Sequence, residues 1–458
     1  MNKTGTGRAL AALAAVGLLA AACSSSKSSS TSASASASGS SSSAAASQAT
    51  ATTAAASGAV DLDKEALAFV GGKGGAADPS ATPITIGYVN QQGGALDFSD
   101  ATAGVQAGVN YVNNQLGGID GHPIKLVTCW VQTEEDGQKC GTQMLNNSDV
   151  KFIITGLLVF GGQSLYTVIN GQKPIMIFDP VTQADYNAKN GFAFSGGVAA
   201  GYLAIGQFLA KNLTPTPKSV AILTTSNPAG VAAINGLVTP TLNKAGITDV
   251  RIAKIADGAT GPDVVSAVQA ANTSTADAIL VSLQTAGCIQ AYDAFQSLNI
   301  SGKPVVTTGQ CYGKPVAQAL GGKFPEWIYA DLGFNPFMAP SASVPLSWNM
   351  ALNLREVLKL PNSSNIDPSS NATYTFGPVL TLTKVLDQVG FANLTPDAIS
   401  AAMKAYHGPL LGTSGSADCG KNPAFPTVCG SAVGFQAYKS GAWVSIADGY
   451  TGTSINAW

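Results

Sequence analysis

The chain has 458 residues, of which 45% are hydrophobic and only 11% charged, with a formal net charge of −2. That is enough apolar material for a sizeable core, and the charged share is well below the roughly 25% of an average globular chain. Lys and Arg are scattered with no basic run, which excludes a nucleic-acid surface. No segment beyond the leader offers the ~20 apolar residues of a spanning helix.

The leader itself reads as an export signal. Lys3 and Arg8 precede an apolar run from Ala9 to Ala22, and Cys23 follows "LLAAA" directly. A basic stretch, a short apolar segment of small residues and a cysteine at its end form the pattern of a bacterial lipoprotein, in which the thiol is acylated and the chain is cut before it. Ala20 stands where Leu is usual. From Ser24 to Gly58 the chain is nearly all Ser, Ala and Thr. Such a stretch has too little apolar bulk to offset the entropy of folding and behaves as a flexible tether. Residues 24–82 are expected to be tether and linker.

From Pro83 onward, strands and helices alternate. "ITIGYV" is a buried strand. In "FSDATAGVQAGVNYVNNQLGG", Val105, Val109, Val112 and Leu116 recur at helical spacing, with Ser99 or Asp100 able to cap the start and Gly117 or Gly118 the end. "IKLVTCW", "KFIITG", "PIMIF", "SVAILTT", "VRIAKI", "AILVSL" and "PVVTT" are further strands. Helices are expected around 229–245, 262–271, 286–298, 314–320, 346–358, 374–389 and 396–406. "GFQAYKSGAWVSI" reads as a hairpin turning at Ser440–Gly441. Continuous Val/Ile/Leu strands alternating with helices predict parallel sheets covered on both faces. Two such sets occur. The expected fold is α/β, with two doubly wound parallel-sheet lobes, residues 83–195 with 335–408 and residues 196–334 with 409–458.

Six cysteines besides Cys23 fit an exported protein with disulfides. Fifteen pairings are open; sequence proximity favours Cys129–Cys140, Cys288–Cys311 and Cys419–Cys429. Neither a metal nor a cofactor is expected. No C-x-x-C occurs, and His122 and His407 stand alone. No G-x-x-x-x-G-K-[ST] loop is present, and "GGKGGA" at 71–76 precedes the first strand instead of following one.

In open α/β sheets, ligands sit beyond the carboxyl ends of the strands. Those ends here read "VNQQGG", "ITGLLVFGGQS", "IFDPVT", "LTTSNPAG", "VSLQTAG" and "TTGQCYG". They are rich in Gly and in uncharged polar side chains and poor in charge, a mixture suited to a small polar molecule. The candidate ligand residues are Gln91, Gln92, Phe98, Phe160, Gly161, Ser164, Asp179, Thr182, Asn227, Gln284, Thr285 and Tyr312. The same residue types also serve ordinary turns.

The run "ITIGYVNQQGG…AGVQAGVNYVNNQLGGIDGHPIKLVTCWVQ" resembles the first βαβ unit of the leucine/isoleucine/valine-binding proteins, type I periplasmic solute-binding proteins of ABC transporters. "KPIMIFDPVT", "KSVAILTTSNPAG" and "ADAILVSLQTAG" resemble later units in order. The resemblance covers about 83–458 and implies two lobes joined by a three-strand hinge, a monomer that closes on a solute and delivers it to an ABC permease. It also implies an extracytoplasmic protein, for which the leader makes Cys23 the expected anchor to the outer face of the membrane. The carry-over of binding residues is partial. The loop that cradles the ligand carboxylate in that family corresponds to Leu158–Ser164, with Phe160 and Gly161 near the usual serine. Asp179 and Pro180 stand where Ala-Thr is usual, Ala229–Gly230 where Tyr-Gly is usual. The acid that pairs with an amino acid's ammonium aligns with Thr285. Either Asp179 replaces that acid from the other lobe, or the ligand is neutral or differently charged, such as an amide, a polyol or an aromatic compound. A sensor feeding a signalling partner is the alternative function. An enzyme is disfavoured, since no G-x-S-x-G elbow occurs and His407 is the one available base.

Overall fold

A computed structural model describes residues 60–446 except 95, 332–334, 342–345, 362–365 and 414. The lipidation site expected at Cys23 and most of the expected tether lie outside the described residues.

Among the described residues, twelve strands form two sheets. The first sheet contains β1 (Ile84–Gln91), β2 (Ile124–Val131), β3 (Phe152–Thr155), β4 (Ile175–Ile177) and β5 (Gly191–Ala193), in the order β2-β1-β3-β4-β5. All its pairings are parallel. The second contains β6 (Ser219–Thr225), β7 (Asp249–Ile255), β8 (Ala278–Ser282), β9 (Val305–Thr308), β10 (Ile328–Asp331), β11 (Gly434–Lys439) and β12 (Ala442–Ser445). Its order is β12-β11-β10-β9-β8-β6-β7, parallel from β7 to β10 and antiparallel at β11 and β12. The inner strands β3, β6 and β8 are buried along their whole length, as their unbroken apolar runs require. The β11–β12 hairpin turns at Ser440 and Gly441, both with positive φ (51° and 81°), the backbone that a two-residue hairpin loop demands.

The chain leaves the first lobe after β5, returns to it after β10, and leaves it again before β11. Helix Gly197–Lys211 packs on the second sheet, with Phe208 stacked on Phe435 at 4.2 Å between centroids. Helices Trp348–Val357 and Asn371–Val389 return to the first lobe and pack on helix Ser99–Gln115. Gly104 and Gly108 make that contact close: a Cβ on Gly104 would lie 2.2 Å from the Ala372 carbonyl oxygen. Val105, Val109, Val112 and Leu116 are all buried there, and the left-handed Gly117 and Gly118 stop the helix. Its start is not capped as expected. Phe98 holds the N-cap position without a side-chain bond, and Asp100 instead accepts from the Ala101 and Asn371 amides.

Residues 60–82 are not linker. Leu62–Val70 is a helix, capped by Asp61, which accepts from the Lys64 amide, and ended by Gly71 in the left-handed region. Ala66, Phe69 and Val70 are buried in the first lobe's core, Phe69 edge-on to Trp348 at 6.2 Å. Arg355 grips Asp63 with two bonds of 2.5 and 2.9 Å, and the Tyr111 hydroxyl donates to the same carboxylate at 2.7 Å. The "GGKGGA" stretch then lies along the end of helix Ser99–Gln115, with Gly75 N–H bonded to the Gln115 carbonyl at 3.0 Å.

The segment before β11 also belongs with the first sheet further than expected. Val428 pairs with Ala193 at the β5 edge, and Leu410, Leu411 and Cys429 are buried in the first lobe's core. The three disulfides join Cys129 to Cys140, Cys288 to Cys311 and Cys419 to Cys429. No helix among the described residues is long and apolar enough to cross a membrane.

Candidate functional site

A cavity of about 590 Å³ lies between the two lobes, at the carboxyl ends of their strands. The first lobe contributes Leu157 beyond β3, Phe178 and Asp179 beyond β4, and Ser195 beyond β5. The second contributes Gln284 and Thr285 beyond β8, Thr308 at the end of β9 with Gly309, Gln310, Tyr312 and Gly313 after it, and Asp331 at the end of β10. The crossing helix Gly197–Lys211 adds Tyr202, and helix Asn371–Val389 adds Asn371, Tyr374 and Thr375.

The lobes also touch each other across this cavity. Tyr312, from the second lobe, donates its hydroxyl proton to Asp331 Oδ2 at 2.5 Å. Tyr374, on a first-lobe helix, lies 3.1 Å from the same oxygen and bonds to the Tyr312 hydroxyl. Burial, reinforced by the Asp331 charge, pushes both phenols well above their ordinary range, so they act as neutral donors. A second tie joins Asp367, just before the first-lobe helix Asn371–Val389, to the amide of Lys314, the first residue of second-lobe helix Lys314–Ala319 (2.7 Å). That helix has no cap of its own at Gly313. The opposite lobe supplies the carboxylate its N-terminus favours.

Asp179 is strongly perturbed. Withdrawal from water raises its pKa to about 6, a bond from Ser195 pulls it down, and nearby Asp185 pushes it up. Ser195 Oγ accepts the Gly197 N–H at 3.0 Å and donates its own proton to Asp179 Oδ1 at 2.5 Å. Asp179 Oδ2 has no hydrogen-bond partner among the described residues. Burial also raises Asp100, against bonds from the Asn371 amide and its neighbours.

Of the twelve candidates, four line the cavity: Asp179, Gln284, Thr285 and Tyr312. The other eight do not, and each has a local reason. Gln91 Oε1 accepts the amides of Val159 and Phe160 at 2.9 and 3.2 Å, tying two loops together. Gln92 Oε1 accepts from the Thr102 hydroxyl at 2.7 Å. Phe98 presents its carbonyl to Asn90. Phe160 points to solvent, 46% exposed. Gly161 N–H donates to Glu134 at 2.8 Å, and the Ser164 hydroxyl donates to the Glu134 carbonyl at 2.6 Å. Thr182 shares a capping box with Asp185. Asn227 caps helix Pro228–Ala233 and reaches Asp257. His407 also lies off the cavity, 3.8 Å from Asp418. Sequence reasoning missed Asp100, Ser195, Tyr202, Asp331, Asp367 and Tyr374. The strand "IYAD" carried a usable signal, a carboxylate at a strand's carboxyl end; the helix and crossover residues carried none.

The lining is also not charge-poor. It contains four carboxylates, Asp100, Asp179, Asp331 and Asp367, and no Lys, Arg or His among the described residues.

The family model described as "Periplasmic binding protein" matches residues 83–422. The chain belongs to the periplasmic binding protein family. The fold agrees with solved structures of that kind. An ABC transporter substrate-binding protein from Sphaerobacter thermophilus superposes with a TM-score of 0.63 at 14% identity, over 81% of this chain and 99% of that one. A solute-binding protein of an ABC transporter from R. palustris, in complex with 4-hydroxybenzoate, gives 0.60 at 13% identity, over 82% and 98%. A leucine-binding protein from Thermotoga maritima gives 0.57 at 12% identity, over 80% and 98%. At these identities the likeness concerns the fold. No curated protein matches the chain in sequence. The two α/β lobes and their mostly parallel sheets are therefore those of a type I periplasmic binding protein.

Proposed function

We propose that this periplasmic binding protein is an extracytoplasmic solute-binding lipoprotein. It captures a small polar molecule between its lobes and presents the closed form to an ABC permease. The observation that carries this reading is the cavity of about 590 Å³, walled by both lobes and bridged by the Tyr374–Asp331 and Asp367–Lys314 bonds. That volume is in the range of small-molecule sites. A ligand that contacts both walls stabilises only the closed form, so it shifts the population towards closure. Lipid on Cys23 and the Ser/Ala-rich stretch after it would keep the lobes near the membrane face. We place the third crossover at 430–433, after the Ala193–Val428 bridge and before β11. The relatives' ligands include 4-hydroxybenzoate in one structure, which shows that such lobes accept more than amino acids. No catalytic step is assigned to the site.

A thermal-shift screen of the full chain against amino acids, amides, amines, polyols and aromatic acids tests the reading. A true guest raises the melting temperature in a concentration-dependent way. Silence across all five classes would refute solute capture.

A further inference from the structure

The two walls of the cavity are held in shape by different means. On the first lobe, side chains pin the strand-end loops. Gln91 accepts the Val159 and Phe160 amides, the Thr182 hydroxyl donates to Asp185, and Ser195 donates to Asp179. The second-lobe wall is built otherwise. Gln284, at the N-cap of helix Thr285–Ser297, makes no side-chain bond to it, and the first turn of that helix holds no acidic residue. Gly309–Cys311 is a 3-10 turn of three residues, an element with little stability of its own. Helix Lys314–Ala319 has six residues and takes its cap from Asp367 of the other lobe. The Thr285 hydroxyl crosses between these segments to the Gln310 carbonyl at 3.2 Å.

The stronger link between them is covalent. Cys288, in the first turn of helix Thr285–Ser297, is bonded to Cys311, the last residue of the 3-10 turn, and both are fully buried. The residues that flank this bond line the cavity: Gln284 and Thr285 on one segment, Gly309, Gln310, Tyr312 and Gly313 on the other. The other two disulfides are placed elsewhere. Among the described residues, none within three positions of Cys129, Cys140, Cys419 or Cys429 lines the cavity. The Tyr312 ring has packing of its own, edge-on to Tyr329 and to Trp443 at 5.9 Å each. What the cross-link governs is therefore the backbone from Gly309 to Lys314 and its placement against Gln284 and Thr285.

We propose that the Cys288–Cys311 disulfide is a positioning element of the solute site, which fixes the second-lobe wall in the shape that the first lobe meets on closure. This rests on the solute-binding reading and adds to it a residue pair that acts through its neighbours without touching the guest. The consequence is preorganisation. A wall free to fluctuate has to be ordered each time the lobes close, and that cost lowers the affinity for any guest. A covalent link removes part of the cost in advance. Lys314 follows Gly313 directly, and its amide is held by Asp367 across the cleft, so the order of this wall also governs an interlobe bond.

The test needs no solute. Amide exchange is followed at Tyr312, whose N–H is held by the Gly309 carbonyl, and at Lys314. It is compared in the full chain, in the Cys288→Ala/Cys311→Ala pair and in the Cys419→Ala/Cys429→Ala pair, each at the same interval below its own melting temperature. Loss of any disulfide frees the unfolded chain and lowers global stability. The control pair carries that effect, and the matched interval removes it. Exchange at both amides is expected to be about tenfold faster or more in the first pair, and within about twofold of the parent in the control pair. Equal acceleration in the two pairs, or none in a folded first pair, overturns the proposal. Thr285→Val, with the disulfide intact, keeps the test decisive if the first pair fails to fold. The proposal predicts exchange within about twofold of the parent there, and acceleration of about tenfold or more would assign the order of the wall to the hydrogen bond and overturn it. A silent solute screen would instead remove solute capture and leave this result standing.

Discussion

Tyr374 reaches from a first-lobe helix to within 3.1 Å of Asp331 Oδ2, the last residue of the second lobe's strand β10. One hydroxyl thus fastens the lobes at the wall of the cavity they enclose. Tyr374→Phe keeps the ring and removes the tie. The expected result is an intact fold with solute affinity reduced about threefold to tenfold, in line with the roughly 0.5–1.5 kcal/mol net worth of one intramolecular hydrogen bond. Amide exchange at Lys314, whose N–H is held by Asp367 of the other lobe, should quicken as the closed form loses population. Unchanged exchange and affinity would show that this contact does not hold the lobes together.

Asp179 gives a pH prediction whose sign is fixed by the direction of its shift. Its folded pKa of about 6 lies above the ordinary value of 3.8. The folded state therefore binds the extra proton, and the associated stability is present below pH ~4 and lost as pH rises through about 6. The groups facing it are Ser195, Asp185 and Tyr186, none of them cationic. In the ligand-free protein, Asp179→Asn should become stabilising relative to the parent above pH 6, by up to about 3 kcal/mol, and approach it near pH 4. Urea midpoints at pH 4.5 and 7.5 measure the difference. A parallel pH dependence in parent and variant would place Asp179 in ordinary solvent.

The glycine seam between helices Ser99–Gln115 and Asn371–Val389 is a packing requirement. A methyl on Gly104 would sit 2.1 Å from Thr375 Oγ1 and 2.2 Å from the Ala372 carbonyl oxygen. Gly104→Ala should cost about 1–3 kcal/mol or more by forcing the helices apart, and should weaken solute binding because Thr375 and Tyr374 stand on the displaced helix. A melting temperature equal to the parent's would contradict this packing.

Much of the fold was legible because its signals are local and repetitive. The Val/Ile runs of β3, β6 and β8, the Val105–Leu116 spacing and the Ser440–Gly441 turn each state their own structure. The helix Leu62–Val70 was lost against the low-complexity stretch before it, although "DLDKEALAFVG" carries a capping Asp, helix formers and a terminal Gly. The site was far less legible. Asn, Gln, Thr and Ser at strand ends do the same chemistry for a turn as for a ligand, so Gln91, Thr182 and Asn227 read as binding residues while serving the backbone. Tyr374 and Asp367 reach the cavity from segments far along the chain, which no strand-end pattern marks.

That amino-terminal helix yields a direct test. Phe69 is buried against Trp348, and Phe69→Ala should destabilise the protein by about 3 kcal/mol. Urea unfolding checks it; a change below about 0.5 kcal/mol, as at an ordinary surface position, would return residues 60–82 to the role of linker.

The central claim is that the two lobes hold one guest in the cavity between them. A crystal structure of the protein grown with the strongest compound from the thermal screen tests it most directly. The account predicts density for that compound in contact with Asp179, Tyr312 and Tyr374, with the Tyr374–Asp331 bond in place. The compound bound elsewhere on an otherwise empty, closed cavity would contradict it.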